Sequence, residues 1–392
     1  MKATLEEVWS KLANAVCNLQ LKDGEHVGHV YNAVIDGVYL RETAFAAKVF
    51  QVAYDRTKNE TYLKHHARAI SALNRDCLSN CATLNEPFWT PRGIRTVAGS
   101  IPATVILWHA LTKNHNVNPS ELAGLENHIS TFLKECYKGK GAFAHDRLSS
   151  YSSSKIPSVI NTSAMAYAFI TTDHGKLIQG VSEDEVREFI INSQRIDGLW
   201  PYISPGTVQK IVHRFFPRLA GIPRRIYELK MGDASVYFGD YLHHVVTLYY
   251  LVIGEERQTT LNEDSKAAIR SALKFIIEQS VAEDGVRRLI FDWEPKITSY
   301  RHCNMFDVST YFYLLSALSI IHKNNWFPEL DLLRFRSEIL QYVLENLVDT
   351  ENGAIAPYDT NASGMAHIMP RPAESIFDKM FFLSCLLESE NV

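Results

Sequence analysis

The chain has 392 residues, of which 46% are hydrophobic, 11% are aromatic and 21% are charged. This composition is too apolar for a disordered protein, and the scarcity of glycine (19) and proline (14) argues against a sandwich of many short strands, which needs frequent turns. The net charge of −4 disfavours nucleic acid as the main partner.

The helical periodicity of apolar residues predicts twelve helices. Val8, Leu12 and Val16 recur at helical spacing in the first of them. Start signals such as Ser120 before Glu121 mark several others. In chain order the predicted helices cover residues 5–19, 42–54, 61–73, 101–111, 119–136, 161–171, 183–193, 240–253, 264–279, 307–322, 330–347 and 374–387.

From the second to the last, these helices alternate between two kinds. One kind is amphipathic and charged, and the other kind has few charges beyond its first turn. The amphipathic, charged helices are those at 61–73, 119–136, 183–193, 264–279 and 330–347. A helix that is apolar all round must be buried on all sides. The pattern therefore predicts an all-α fold, an (α/α)6 toroid of six inner and six outer helices, in which 5–19 is the outer partner of the last helix.

The longest predicted loops all lead from an outer helix to the next inner helix. Gly141, Gly198, Gly285 and Gly353 follow four of the outer helices, and we expect each to end its helix in left-handed geometry. The loops then gather on one face, above the N-terminal ends of the inner helices. Because loops on a rigid scaffold often carry function, we expect a single domain, 1–392, with a funnel-shaped site on that face.

One of these loops is a candidate basic lid. Residues 203–239 form the insertion, and their cations cluster around three prolines. An anion-binding lid and a solvated loop are both compatible with this cluster. Its basic residues are Lys210, His213, Arg214, Arg218, Arg224 and Arg225.

Nothing in the sequence indicates stable membrane insertion. The first residues contain no apolar segment of the kind that forms a secretory signal, and the longest apolar runs are far shorter than a membrane span. Six cysteines are spread without framework spacing, which favours free thiols and a cytoplasmic protein.

Several motifs between residues 155 and 322 resemble those of known toroids. The run from Asn192 to Trp200, NSQRIDGLW, is similar to the glutamine–tryptophan repeat of squalene-cyclase and prenyltransferase-type toroids. The runs NTSAMA from Asn161, DYLHH from Asp240 and RHCNMFD from Arg301 resemble toroid proteins of polysaccharide biosynthesis and the α/α-barrel glycan lyases and epimerases. The resemblance implies an α/α toroid and a carbohydrate substrate. The Asp-rich and zinc-binding motifs of the isoprenoid enzymes are missing from the sequence.

A glycan lyase needs a group that neutralises a carboxylate, together with a base and an acid near the reacting carbon. Residues of these types lie at or near the starts of the inner helices. They are Asn161, Tyr241, His243, His244, Arg301 and His302. Asn161 also suits a helix cap, and only one of the adjacent histidines can face a site, since neighbours on a helix lie about 100° apart.

A hydrolase would instead need two carboxylates across the cavity. Asp240, Asp307 and Glu374 begin inner helices, where stabilisation of the helix dipole explains them equally well. Sugar rings stack on aromatic side chains, and the funnel loops carry Trp200, Tyr202, Tyr237 and Trp293. We predict catalytic roles for Asp240, Tyr241, His243, His244, Arg301 and Asp307, and substrate-binding roles for Asn161, Trp200, Tyr202, Tyr237, Trp293, His302 and Glu374.

Three functions follow as hypotheses. The first is an enzyme that acts on a polysaccharide or oligosaccharide as a lyase, epimerase or hydrolase. The second is a terpenoid or polyprenyl enzyme with Asp307 or Asp240 as a non-standard acid. The third is a non-catalytic toroid that binds a glycan or a protein. No nucleotide motif or complete zinc-ligand set is visible, so we expect neither cofactor nor metal. The oligomeric state is left open.

Overall fold

A computed structural model describes residues 4–32, 37–78, 86–90, 93–97, 101–145, 159–175, 178–201, 241–289, 306–349, 351, 353–356, 358–359 and 376–389. Within these residues the chain forms twelve α-helices, as predicted. They are α1 (Leu5–Asn18), α2 (Leu40–Thr57), α3 (Glu60–Leu73), α4 (Ile101–Thr112), α5 (Pro119–Cys136), α6 (Ile160–Ile170), α7 (Glu183–Asn192), α8 (Tyr241–Glu256), α9 (Glu263–Glu278), α10 (Ser309–Lys323), α11 (Leu332–Asn346) and α12 (Phe377–Ser389). A π-helical turn, Asn74–Leu78, continues α3.

The even-numbered helices form a closed inner ring. Going round it, α2 packs on α4, α4 on α6, α6 on α8, α8 on α10, α10 on α12, and α12 returns to α2. Their burial explains the ring, since all eleven residues of α6 are buried, whereas only Val186 and Ile190 are buried in the outer helix α7.

The odd-numbered helices wrap this ring, each on the inner helix that precedes it. Thus α3 packs on α2, α5 on α4, α7 on α6, α9 on α8 and α11 on α10. Helix α1 contacts both α12 and α2, as expected for the outer partner of the last inner helix. The predicted (α/α)6 toroid is confirmed.

The two sets of helices begin differently. Each outer helix has a side-chain cap on its first backbone N–H groups, which a residue before the helix provides. The capping residues are Thr4, Asn59, Asn118, Ser182, Asn262 and Asp331. The inner helices α2, α6 and α10 follow Tyr39, Val159 and Val308, and in the described structure none of these side chains forms a cap.

Short antiparallel strands supplement the helices. Hairpins β4–β5, β6–β7 and β9–β10 follow α5, α9 and α11, while β1, β2 and β3 form one small sheet and β8 pairs with β11. The strands are β1 (Val38–Tyr39), β2 (Glu86–Thr90), β3 (Gly93–Val97), β4 (Tyr137–Gly139), β5 (Ala142–Phe143), β6 (Ser280–Glu283), β7 (Val286–Leu289), β8 (Phe306–Asp307), β9 (Val348–Asp349), β10 (Ala354–Ile355) and β11 (Tyr358–Asp359).

The glycines after the outer helices have the expected left-handed backbone, but they do not lie at the ends of the helices as predicted. Gly141, Gly198, Gly285 and Gly353 all have positive φ, from +64° to +94°. They lie in the turns that follow the helices, since α5 already ends at Cys136, before the hairpin that contains Gly141. Gly141 also touches α7, where an added Cβ would lie 2.0 Å from the carbonyl oxygen of Glu185.

The connections are distributed as predicted. Inner helices lead to outer helices through short segments such as 58–59 and 113–118, although 171–182 is longer than expected. Outer helices lead to inner helices through long segments, among them 137–159, 193–240 and 279–308. The candidate basic lid, 203–239, lies outside the described residues. In the described part of the chain, every helix is too short or too polar to cross a membrane.

Candidate functional site

A cavity of about 440 Å³ lies at the N-terminal ends of the inner helices. All six of these helices line it from their first two turns, so it occupies the face that the loop asymmetry predicts. The described lining consists of Asn32, Tyr39, Arg41, Glu42, Phe45, Pro102, Ile106, His145, Asn161, Met165, Leu242, His243, Val246, Ser309, Tyr313, Asp378 and Lys379.

Apolar side chains from the second helical turns form one part of the lining. Phe45, Ile106, Met165 and Val246 each occupy the sixth position of their helix, in α2, α4, α6 and α8. Tyr313 of α10 joins them and packs on Phe382, with ring centroids 4.6 Å apart. The barrel interior around Tyr313 is aromatic, because Tyr249 also packs there, edge-on to both Tyr313 and Phe382.

Ionisable side chains line the cavity on the neighbouring helices α12 and α2. Lys379, whose side chain is only 3% exposed, lies 3.1 Å from Asp378 through Nζ and Oδ1. Ser309 Oγ of α10 donates to Asp378 Oδ2 at 3.2 Å. On α2, Arg41 and the buried Glu42 complete this side. A buried carboxylate and a buried ammonium group are costly unless they are paired or used.

The α6 and α8 side of the cavity carries neutral polar groups. Asn161 is the second residue of α6 and 4% exposed, and the helix cap position belongs to Val159. Its Oδ1 is buried and forms no hydrogen bond to any described residue. A buried acceptor without a partner costs about 1–3 kcal/mol, which a ligand donor would recover. His243 of α8 and His145, which follows β5, lie on the same cavity.

The adjacent histidines have different surroundings. His243 lines the cavity, whereas the fully buried His244 accepts a hydrogen bond from the backbone N–H of Trp200 through Nδ1, at 3.0 Å. Nε2 therefore carries the ring proton of neutral His244. Trp200 stacks on His244 with ring centroids 5.6 Å apart, and its Nε1 donates to the Ile190 carbonyl oxygen.

Tyr241 packs with the same group. Its ring lies 6.0 Å from that of Phe275 on α9 and 6.2 Å from that of His244. Burial raises the pKa of Tyr241 above its ordinary value, so it stays neutral at physiological pH. Tyr241, His244 and Trp200 thus join α8 to α7 and α9, and they are not part of the described lining of the cavity.

The structure therefore brings two of the predicted site residues, Asn161 and His243, to one cavity. Asp307 lies in β8, where its backbone pairs with that of Tyr358 in β11. Seven further predicted site residues lie outside the described part of the chain. They are Tyr202, Tyr237, Asp240, Trp293, Arg301, His302 and Glu374.

Sequence reasoning missed the charged residues of the lining. Arg41 was missed because α2 begins at Leu40, two residues before its predicted start, whereas Glu42 already begins the predicted helix and was not singled out. Asp378 and Lys379 were missed as site residues because α12 begins at Phe377, three residues after its predicted start. The available signal was a charged residue in the first turn of an otherwise apolar helix. Among the described residues, no three His, Cys, Asp or Glu side chains are close enough to hold a metal ion.

No known protein family matches the chain, and no curated protein matches its sequence. Solved structures of the same fold do match over nearly the whole length. An unsaturated glucuronyl hydrolase from Bacillus sp. GL1 has a TM-score of 0.57 and 13% identity, over 98% of this chain and 95% of that one. A D-mannose isomerase has a TM-score of 0.66 and 10% identity, over 98% and 97%.

A third structure, cellobiose 2-epimerase from Bacillus thermoamylovorans, has a TM-score of 0.61 and 13% identity, over 99% of both chains. At identities this low, the similarity establishes a shared fold. The chain thus has the α/α-toroid architecture of these proteins, and its own residues must indicate what the cavity does.

Proposed function

We propose that the protein is an enzyme that acts on a carbohydrate bound in the cavity at the N-terminal ends of the inner helices. The observation that supports this most directly is the convergence of polar and ionisable side chains from five inner helices, α2, α6, α8, α10 and α12, on one cavity. The reaction is elimination, epimerisation or hydrolysis, each of which proceeds by general acid–base catalysis.

The cavity suits a sugar in size and in surface. Its volume of about 440 Å³ falls in the range of small-molecule sites. A sugar ring has an apolar face, which Ile106, Met165 and Val246 would contact, and a rim of hydroxyl groups, which Asn161 and the α2 and α12 side chains would bind. The three structural neighbours are named for hydrolysis of unsaturated glucuronyl units, isomerisation of mannose and epimerisation of cellobiose, and these names support a sugar substrate.

The alternatives fit the described lining less well. A terpenoid or polyprenyl enzyme needs a cavity of mainly aromatic and aliphatic side chains, whereas charged and amide groups occupy much of this one. A non-catalytic toroid that binds only at its surface has no use for a cavity with buried ionisable groups, so turnover decides between this alternative and an enzyme.

The test is turnover of a panel of neutral and acidic oligosaccharides, followed by proton NMR in heavy water. Deuterium incorporation indicates isomerisation or epimerisation, a new vinyl signal indicates elimination, and new reducing ends without it indicate hydrolysis. We expect one of these signals with the wild type and a loss of about 100-fold or more in His243→Ala. His128→Ala, on the exposed surface of α5, is the matched control.

Binding of a sugar without turnover would support the non-catalytic alternative, and the absence of both would contradict the proposal. Turnover of isoprenyl diphosphates instead would support the terpenoid alternative. The same assay tests the predicted roles of Asp240 and Arg301.

We also propose a cytoplasmic location, which the free thiols of Cys17, Cys136 and Cys385 support.

A further inference from the structure

Glu42 combines burial with a place on the cavity. It is the third residue of α2, its side chain lines the cavity, and it is 3% exposed. Desolvation disfavours an ionised carboxylate, while hydrogen-bond donors and a helix N-terminus favour it. The question is therefore which groups around Glu42 hold its carboxyl group in place.

Asn32 supplies a direct donor. Its Nδ2 donates to Glu42 Oε1 at 2.9 Å, and this contact is buried. Asn32 is itself held by paired backbone hydrogen bonds with Gly37, from Asn32 N to Gly37 O at 2.8 Å and from Gly37 N to Asn32 O at 3.2 Å. The Asn32 amide is thus fixed by backbone that precedes α2, and it is also part of the cavity lining.

A second group of contacts fixes the first turn of α2 itself. Thr43, the residue after Glu42, lies 2.9 Å from His29 Nδ1 through its Oγ1 and accepts a hydrogen bond from the Val30 N–H at 3.3 Å. His29 Nε2 lies 2.8 Å from Asp76 Oδ2. These residues connect the π-helical turn after α3, through the segment before α2, to the residue beside Glu42.

We propose that Glu42 is the general base of the sugar reaction and that Asn32 is its positioning residue. This assignment rests on the proposed function and goes beyond that function, because it names the group that takes the proton. The ionised carboxylate accepts a proton from a carbon or hydroxyl group of the bound sugar, becomes a neutral carboxylic acid, and later returns the proton to product or water. The other titratable groups of the described lining surround the same space, and they are Tyr39, Arg41, His145, His243, Tyr313, Asp378 and Lys379.

The experiment compares turnover against pH for the wild type, Glu42→Gln, Asn32→Asp and Asn32→Leu, with the oligosaccharide that the wild type converts. We expect Glu42→Gln to lower kcat by about 100-fold or more. Asn32→Asp replaces a donor by a second carboxyl group, so the acidic limb of its profile should move up by about one pH unit. Asn32→Leu should lower kcat far more than it changes KM.

Two matched controls separate these effects from lost stability. Glu338→Gln removes a buried carboxylate that pairs with Arg287 on the outer side of the toroid. Asn114→Asp places a carboxyl group at a buried asparagine whose side chain donates to Ala44 and Ala110 carbonyl oxygens. We expect both to lower the melting temperature and to leave the pH profile of turnover unchanged.

The outcomes distinguish this inference from the proposed function. If the wild type converts a sugar but Glu42→Gln retains its kcat, Glu42 is not the base and the inference is overturned. The same holds if Asn32→Asp and Asn114→Asp move the acidic limb equally, because the effect would then be a general one of added charge. If the wild type converts no sugar, the proposed function fails first and this inference falls with it.

Discussion

At the scale of single residues, His66 on α3 makes the stability of the toroid depend on pH. Its burial, together with the nearby His115 and Lys48, lowers its pKa to about 4. The unfolded chain binds a proton at this residue below about pH 6.5, whereas the folded chain does so only near pH 4. Protonation of His66 therefore favours the unfolded chain below pH 6.5, and stability is lost as the pH falls from 6.5 towards 4.

Replacing His66 by Gln should reduce this loss. We expect the free energy of unfolding, measured with urea at pH 7 and pH 4.5, to fall less in His66→Gln than in the wild type, by on the order of 2 kcal/mol. Other histidines with lowered pKa, such as His29 and His109, remain in both proteins. His128→Gln, on the surface, should behave like the wild type, and an unchanged difference in His66→Gln would refute the assignment.

Site residues could be predicted from sequence only as far as the rotation of each helix could be inferred. The sequence predicts that residues at the N-terminal ends of the inner helices face the funnel, and Asn161 and His243 do line the cavity. The choice between His243 and His244 depends on how α8 turns its faces towards α7 and α9, which is a property of tertiary packing. Lys379 was missed because α12 begins three residues later than predicted, so the lysine was not placed in the first turn of the helix.

At the scale of secondary structure elements, the turn after α7 depends on one glycine. Gly198 has φ +94°, and an added Cβ would lie 2.4 Å from the carbonyl oxygen of Ser271 on α9. Left-handed backbone costs about 1–2 kcal/mol for a residue with a Cβ, before any displacement of α9 is counted. We therefore expect Gly198→Ala to lower the free energy of unfolding by about 2 kcal/mol or more.

Gly124 offers the matched control for this prediction. It lies in α5, where an added Cβ meets nothing within 4 Å and φ is not positive. Alanine favours a helix over glycine by about 0.8–1 kcal/mol, so Gly124→Ala should raise the stability. Urea unfolding of both variants checks the pair, and a Gly198→Ala protein as stable as the wild type would contradict the proposed contact with α9.

The capping pattern explains several of the element boundaries that were predictable. Predicted starts of α1, α5 and α7 coincide with the observed ones, because a capping side chain precedes a charged first turn. Predicted starts of α2 and α10 miss by two residues, since Tyr39 and Val308 give no capping signal. Most of the strands span only two to four residues, too few for an alternating pattern to be read.

At the scale of the whole molecule, the alternation of helix character was enough to predict the toroid, because a closed ring is the arrangement that buries six apolar helices on all sides. Closure has an energetic consequence. In a linear array of helix pairs each unit contacts only its neighbours, so one end can open alone. In this ring every inner helix has two inner neighbours, and α12 and α2 meet with α1 packed on both.

This closure predicts that a destabilising substitution where α1 meets α12 also lowers the stability of the helices on the opposite side of the ring. Trp9 of α1 is 1% exposed, and its Nε1 donates to Ser384 Oγ of α12 at 2.9 Å. Trp9→Phe removes this bond and part of a buried ring, at a cost of about 2 kcal/mol. The opposite helices α6 and α8 are joined by Tyr167, whose hydroxyl donates to Glu255 Oε1 at 2.8 Å.

Hydrogen–deuterium exchange of the most protected amides in α6 and α8 measures the effect. If these amides exchange only when the whole ring opens, their protection in Trp9→Phe should fall by the same free energy as global unfolding measured with urea. Leu333→Ala, at a half-exposed position of α11, should leave both quantities unchanged. Protection lost in α1 and α12 alone would mean that the helices unfold as a chain of separate pairs and that closure adds no cooperativity.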